Sequence, residues 1–189
     1  MKISLVVLFL AISFHLSAQG DCAVKNSTNY PDLKIVNAEE IKCIAKSNKN
    51  QSLFYTFGIW CMPCVLHLDG ALEFAKIHNL SFYVILIEDD KSENSRIDRA
   101  VDFLKRKNKD IDILLISNEY SSKPRVKNKK FLTEITPKEF ENIDDMSKYI
   151  LINSEGEVQM VTSYKDYQGD DWRDDSGKRN RKLLPLIAK

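Results

Sequence analysis

The sequence predicts a three-layer α/β domain, in which a central mixed sheet is flanked by helices. Two continuous apolar runs, residues 82–87 and 111–116, are typical of strands covered on both faces in a parallel sheet. Apolar residues at three- and four-residue steps precede each run and predict amphipathic helices between the strands. Strands and helices therefore alternate along the chain, which is the order of an α/β fold.

The first half of the domain is marked by a helix cap and by a change of period. Asn37 is placed to cap a short helix, and Glu40 completes a reciprocal cap three residues later. Residues 53–57 are strand formers and predict a strand. Beyond Cys61 the pattern predicts a helix that ends at Asn79, and its buried stripe consists of Val65, Leu68, Leu72 and Ala75.

The second half is less regular. Residues 97–104 have the apolar spacing of another helix, whereas residues 117–146 are polar, contain prolines and receive only a loose assignment. We interpret the basic cluster in that stretch as a solvated loop; it consists of Lys123, Arg125, Lys127, Lys129 and Lys130. Two short strands flank the Asn153-Ser154-Glu155-Gly156 turn and predict a hairpin. Residues 178–187 predict a last helix, with an end that Pro185 leaves open.

Length and charge predict one domain without a nucleic-acid partner. The chain has 189 residues, 43% of them hydrophobic, so about 170 residues after an N-terminal segment are enough for one sizeable core. It carries 28 basic and 27 acidic side chains, and the formal net charge is +1. This balance gives no electrostatic reason to expect a nucleic acid or an anionic membrane as a partner.

Residues 1–20 have the pattern of an export signal. Lys2 supplies the positive start, residues 3–12 form an apolar run too short to span a bilayer comfortably, and small residues follow. We expect cleavage between Ala18 and Gly20, with a retained N-terminal anchor as the alternative. The mature domain, residues 21–189, is then periplasmic or otherwise exported, without stable membrane insertion, and its disulfides can persist.

The motif Trp60-Cys61-Met62-Pro63-Cys64 predicts redox chemistry. A C-x-x-C pair can form half of a zinc site, but structural zinc needs four ligands. No second pair is present, and the only histidines after the signal are His67 and His78. We therefore expect a reversible disulfide between Cys61 and Cys64, and no metal.

The position of the motif assigns the two sulfur atoms their roles. Cys61 follows a strand and begins a helix, where unpaired backbone N–H groups and the helix dipole stabilise a thiolate. It is the expected nucleophile, and Cys64, one turn further in, is the expected resolving thiol. Pro63 is tolerated in the first helical turn. For Trp60, a direct role beside the sulfur and simple packing at the strand end both stay open.

With these residues in place, the chain resembles the thioredoxin superfamily, and in particular its exported TlpA/ResA-like thiol-disulfide oxidoreductases. The resemblance covers residues 33–165 and rests on the strand, the tryptophan-led C-x-P-C, the helix and the later hairpin. It implies disulfide exchange with exported proteins that contain paired cysteines, with electrons from a membrane donor. It implies no organic cofactor.

Two positions depart from the family pattern. Relatives have a cis-proline directly before the hairpin strand, where this chain has Ser147, and Pro137 fills that place only if residues 138–147 loop out. ResA-like members have a glutamate three residues past the second cysteine, where this chain has His67. Because His67 and Cys64 lie on adjacent turns of one helix face, we expect His67 to stabilise or relay the proton of Cys64, with simple packing as the alternative.

Two further cysteines and two further functions complete the predictions. Cys22 and Cys43 are able to form a structural disulfide that joins the N-terminal segment to the first helix. One alternative function is a metal-handling protein that holds copper or a similar soft ion. The other is a binding domain that retains the scaffold without redox activity.

Overall fold

A seven-stranded mixed sheet forms the centre of the protein in a computed structural model, which describes residues 22–89 and 96–187. The strands are β1 (Lys25–Asn26), β2 (Lys34–Val36), β3 (Ser52–Phe57), β4 (Ser81–Leu86), β5 (Asp112–Ile116), β6 (Tyr149–Ile152) and β7 (Val158–Val161). Their spatial order is β1-β2-β5-β4-β3-β6-β7. The strands β2, β5, β4 and β3 are parallel, and β1, β6 and β7 are antiparallel to their neighbours.

Helices cover both faces of this sheet. They are α1 (Ala38–Ser47), α2 (Met62–Ile77), α3 (Arg96–Lys107), α4 (Pro124–Ile135), α5 (Ser176–Lys182) and α6 (Leu184–Ile187), with a 3₁₀ turn at Tyr164–Tyr167. Side chains of α2 and α3 belong to one apolar cluster, and side chains of α1 and α4 belong to the cluster on the opposite face. The predicted three-layer, thioredoxin-like arrangement is confirmed.

The interior strand β3 places the C-x-x-C motif at the carboxyl end of the parallel strands. It lies between β4 and β6, and all six of its residues are buried. Leu53, Tyr55 and Phe57 face the layer of α2, whereas Phe54 faces the layer of α1, as strand alternation requires. Its carboxyl end leads through residues 58–60 directly into Cys61 and α2.

Several local predictions are confirmed. Asn37 caps α1 by accepting a hydrogen bond from the Glu40 backbone, and the Glu40 carboxylate accepts one from the Asn37 backbone. The helix α2 ends at Ile77, and Asn79 beyond it adopts a positive φ of 54°. The predicted hairpin is formed by β6 and β7, with Gly156 at a φ of 81°.

The basic stretch is a helix and not a solvated loop, so that interpretation was wrong. Pro124 begins α4 at a position where its missing N–H has no intrahelical partner, and Phe131 and Leu132 pack into the apolar cluster. Lys127 is fully buried, and its ammonium donates to the backbone carbonyl of Glu88 at 2.6 Å. The burial of α4 against the sheet outweighs the polarity that suggested a loop.

The last predicted helix and two short strands also differ from what the sequence pattern indicates. The predicted last helix is divided into α5 and α6 because Pro185 has no N–H to donate to the carbonyl of Arg181, four residues back. The strands β1 and β2 have two and three residues, which is too short for a recognisable period.

The predicted signal and its cleavage region, residues 1–20, lie outside the described residues. Across residues 22–89 and 96–187, no helix is long and apolar enough to cross a bilayer.

A disulfide joins Cys22 to Cys43, as the sequence suggested. Their Cα atoms are 5.7 Å apart, and the bridge fastens the start of the described chain to α1. It links residues 21 positions apart and therefore closes a long loop in the unfolded chain.

Removing this bridge is expected to lower the free energy of unfolding by about 3 kcal/mol, because the open loop regains chain entropy. The double variant Cys22→Ala/Cys43→Ala avoids an unpaired thiol, and urea unfolding measures the loss. Cys61→Ala/Cys64→Ala is the comparison, since its bridge spans a separation of only 3 and should stabilise less. An unchanged urea midpoint in the Cys22/Cys43 variant would contradict a stabilising role for the bridge.

Candidate functional site

The two motif cysteines form a disulfide at the amino end of α2. Cys61 is the N-cap residue, and its sulfur accepts a hydrogen bond from the Cys64 backbone N–H at 3.3 Å. Cys61 retains 7% exposure, whereas Cys64 is fully buried. When the bridge opens, the same N–H and the helix dipole face any charge on the Cys61 sulfur. This geometry suits an accessible nucleophile followed by a shielded resolving thiol.

Two neighbours of the cysteines are fixed by their own contacts. Pro63 lies in the first turn of α2, as predicted. Trp60 is 44% exposed, and its indole N–H donates to a carboxylate oxygen of Glu88 at 2.8 Å. Burial raises the pKa of Glu88, which follows β4 and was not identified from the sequence. This hydrogen bond holds the indole beside the motif, although the ring is not buried by packing.

Tyr55 reaches from β3 to the second cysteine. Its hydroxyl donates to the Cys64 carbonyl at 3.1 Å and lies 2.8 Å from the Ser147 hydroxyl. Burial raises the pKa of Tyr55, so the phenol stays protonated. The polar group that this strand position brings to the second cysteine is therefore a neutral phenol.

Ser147 lies directly before β6, opposite the motif. All peptide bonds of the described residues are trans, and Ser147 has a φ of 60°, in the left-handed region. Its hydroxyl contacts both Tyr55 and His67. Pro137 follows the end of α4, where its carbonyl accepts from the Phe140 N–H, and it is not among the residues that line the site. Ser147, and not Pro137, therefore lines the cavity together with Cys61.

His67 is buried and neutral. Its Nε2 lies 2.8 Å from the Trp172 carbonyl, which only accepts, so Nε2 must carry the proton. Nδ1 is then an acceptor for the Ser147 hydroxyl at 2.9 Å. Burial is the largest cause that lowers the pKa of His67, to about 4. Because both ring nitrogens have these partners, the route from His67 to Cys64 runs through Ser147 and Tyr55, and the expected influence on the Cys64 proton stays a prediction.

The chain of hydrogen bonds from His67 to Cys64 has one proton too few to fill all of its contacts. Three successive contacts connect His67 Nδ1 to the Cys64 carbonyl oxygen through the hydroxyls of Ser147 and Tyr55. Both ends are acceptors, so the two hydroxyl protons serve only two of the three contacts at a time. A proton on Nδ1 would complete all three contacts. Protonation of Nδ1 is therefore favoured by this hydrogen-bond chain and opposed by the burial of the resulting charge.

The C-terminal segment closes the site and was not predicted to do so. Asp175 accepts a hydrogen bond from the Tyr149 hydroxyl at 2.5 Å and forms an ion pair with Arg179. Its carboxylate also lies 3.8 Å from Nδ1 of His67. No periodic or motif signal in the sequence marks Asp175, because its contacts with Tyr149 and His67 join residues that are far apart in the chain.

A cavity of about 470 Å³ opens beside the disulfide. It is bounded by α2, by the residues before β6 and by the C-terminal segment, and its lining consists of Cys61, Pro63, Asp145, Met146, Ser147, Tyr164, Tyr167, Trp172 and Lys178. Large apolar side chains are exposed around the motif and the cavity, namely Trp60, Met62, Leu66, Tyr164 and Trp172.

In residues 22–89 and 96–187, no group of three His, Cys, Asp or Glu side chains converges as a metal site would require. Comparison with family models, curated proteins and solved structures finds no match to this chain.

Stability is expected to depend on pH through His67. Its pKa is about 4 in the native state and near 6.5 when unfolded, so between these values only the unfolded chain binds the proton. Acidification from pH 7 to pH 4 therefore removes about 2–3 kcal/mol of native stability at this residue. Urea unfolding of His67→Gln should lack this share of the pH dependence. His78→Gln, at the end of the same helix, should retain it, and identical curves for both variants would contradict the assignment.

Two substitutions separate the hydroxyl of Ser147 from its backbone. Ser147→Ala leaves two buried polar partners incompletely satisfied and is expected to cost about 1–3 kcal/mol of unfolding free energy. Ser147→Gly removes the same hydroxyl but relieves the left-handed φ, which costs a non-glycine residue roughly 1 kcal/mol. Ser147→Gly should therefore be the more stable of the two in urea. The reverse order would show that the backbone at this position changes with the substitution.

Proposed function

We propose that the protein is an exported thiol-disulfide oxidoreductase of the thioredoxin superfamily, which exchanges disulfides with exported proteins through Cys61 and Cys64. The observation that carries the proposal is the disulfide at the N-cap of α2, in which Cys61 lines a cavity and retains 7% exposure whereas Cys64 is fully buried. This asymmetry is what a nucleophile and a resolving thiol need.

The exchange consists of two balanced steps. The Cys61 thiolate attacks a substrate disulfide, a mixed disulfide forms, and the other substrate sulfur leaves as a thiolate that takes up a proton. Cys64 then loses its proton and attacks the Cys61 sulfur, and the second substrate sulfur leaves in the same way. Two electrons pass from the cysteine pair to the substrate, and the reverse sequence oxidises a substrate dithiol.

The surroundings of the disulfide support a polypeptide substrate. The apolar side chains exposed around it include Trp60 and Met62 on one side and Trp172 on the other. Apolar side chains in contact with water are favourable places for the side chains of an unfolded or extended partner. A membrane electron donor remains part of the proposal through the family resemblance alone.

The proposal of export is supported by the second disulfide. The Cys22–Cys43 bridge has no place in the exchange chemistry, and bridges of this kind persist in oxidising compartments. Together with the signal pattern at residues 1–20, this favours a periplasmic or otherwise exported protein.

The test uses the two single cysteine variants. Reduction of insulin by a dithiol should be accelerated by the wild-type protein, and Cys61→Ser should abolish the acceleration because no nucleophile remains. Cys64→Ser should accumulate a mixed disulfide with substrate, visible by mass spectrometry without reduction, since the resolving thiol is missing. Full activity in Cys61→Ser, or adducts on Cys64 instead of Cys61, would overturn the assignment of roles.

A further inference from the structure

Lys178 is a buried cation in the cavity beside the disulfide. It lies on α5, is 2% exposed, and lines the same cavity as Cys61. Its ammonium is 4.6 Å from the ring centre of Tyr167 and 5.2 Å from that of Tyr149. Its hydrogen bonds, to the Ser147 carbonyl and the Tyr167 hydroxyl, are both long at 3.4 Å. Aromatic faces and neutral oxygens are therefore its only close partners among the described residues.

The neighbouring carboxylates already have cations of their own. Asp145 forms an ion pair with Lys148, Asp166 forms one with Lys182 at 3.0 Å, and Asp175 forms one with Arg179. No carboxylate of the described residues lies within ion-pair distance of Lys178, and its pKa is lowered to about 8, chiefly by burial. Lys178 is thus a buried cation without an ion-pair partner of its own among the described residues, and only the more distant carboxylates of Asp145 and Asp166 favour its charged form.

We propose that the ammonium of Lys178 is the counter-charge of the Cys61 thiolate, so that the cavity becomes an anion site when the disulfide is reduced. The inference rests on the proposed function, because it requires that the Cys61–Cys64 bond opens reversibly. It adds to that function a residue of α5 that positions charge and does not itself react.

The step that creates the anion is balanced. A dithiol breaks the Cys61–Cys64 bond and is oxidised to its own disulfide, and two electrons enter the cysteine pair. One of the two dithiol protons stays on Cys64. The other goes to the buffer, because Cys61 remains a thiolate facing Lys178.

The expected size of the effect follows from the dimensions of the cavity. Lys178 and Cys61 both line the cavity, and a sphere of its volume, 470 Å³, is about 10 Å across. Two charges separated by about 10 Å shift each other's pKa by about one unit at an effective dielectric constant near 20. Removing the ammonium should therefore raise the pKa of the Cys61 thiol by about one unit. The reduced form becomes less favourable by a factor of about ten, which is about 30 mV for this couple.

Other charged or titratable groups face Lys178 from the elements around it. The measurement must separate the effect of the Lys178 charge on Cys61 from the effects of these groups. They are Asp145 and Lys148 before β6, Tyr149 on β6, Asp166 and Tyr167 in the 3₁₀ turn, and His67 on α2.

The experiment compares Lys178→Met with Lys178→Arg and with Arg181→Met. The Met variant removes the buried charge, the Arg variant retains it, and Arg181 is an exposed cation of the same helix that pairs with Asp170. Potentials are measured in dithiol buffers, and the pKa of Cys61 is measured from alkylation rates. Lys178→Met should have the more negative potential only above the pKa of Cys61, and both controls should remain close to the wild type.

A wild-type measurement decides the matter even if Lys178→Met does not fold. The pKa of Lys178, followed by NMR of its side chain, should rise by about one unit when the disulfide is reduced, because the new anion favours the charged amine. The same pKa in both redox states would overturn the inference, and so would an unchanged potential in Lys178→Met. Loss of rate only toward peptides with a carboxylate beside their disulfide would also overturn it, and would assign the ammonium to the substrate.

The two proposals fail in different ways. A disulfide that dithiols cannot open overturns the proposed function and this inference together. An unshifted Lys178 with intact insulin reduction overturns the inference alone.

Discussion

The hydroxyl of Ser147 holds the site together because it connects three parts of the fold with two short contacts. It lies 2.8 Å from the Tyr55 hydroxyl on β3 and 2.9 Å from Nδ1 of His67 on α2, and it precedes β6 itself. All three residues are buried, so each polar group depends on the others for its hydrogen bonds. His67 then extends the connection to the Trp172 carbonyl, which fixes the C-terminal segment over the cavity.

The backbone at Ser147 excludes a proline at this position. Proline requires a φ of about −65°, and the observed φ of 60° does not allow it without a change of the backbone. The chain therefore supports this place with side-chain hydrogen bonds and a left-handed residue. A partner that approaches the disulfide meets a serine hydroxyl already occupied by Tyr55 and His67, along with aromatic side chains from the C-terminal segment.

Sequence patterns predicted the parts of the fold that local chemistry determines. The Asn37 cap, the central strands and the N-cap of α2 at Cys61 follow from signals within a few residues. The same local reasoning missed α4, because the burial of Lys127 depends on a carbonyl after β4, 39 positions away. It also missed Lys178 and Asp175, whose partners lie on α2, β6 and the turn before α5. Local periodicity identifies elements, but it does not identify which charged residue a tertiary contact will bury.

The electrostatic character of the cavity follows from applying one physical effect to two different bases. Burial lowers the pKa of His67 from 6.5 to about 4 and that of Lys178 from 10.5 to about 8, which are depressions of similar size. His67 consequently loses its charge at neutral pH, whereas Lys178 retains most of its charge because its pKa begins four units higher. Desolvation therefore leaves one cation in the wall of the cavity beside Cys61, and one neutral acceptor that contacts the lining residue Ser147. In the proposed exchange, opening the disulfide creates an anion on Cys61 that the cation can face, while His67 stays an uncharged acceptor for the Ser147 hydroxyl.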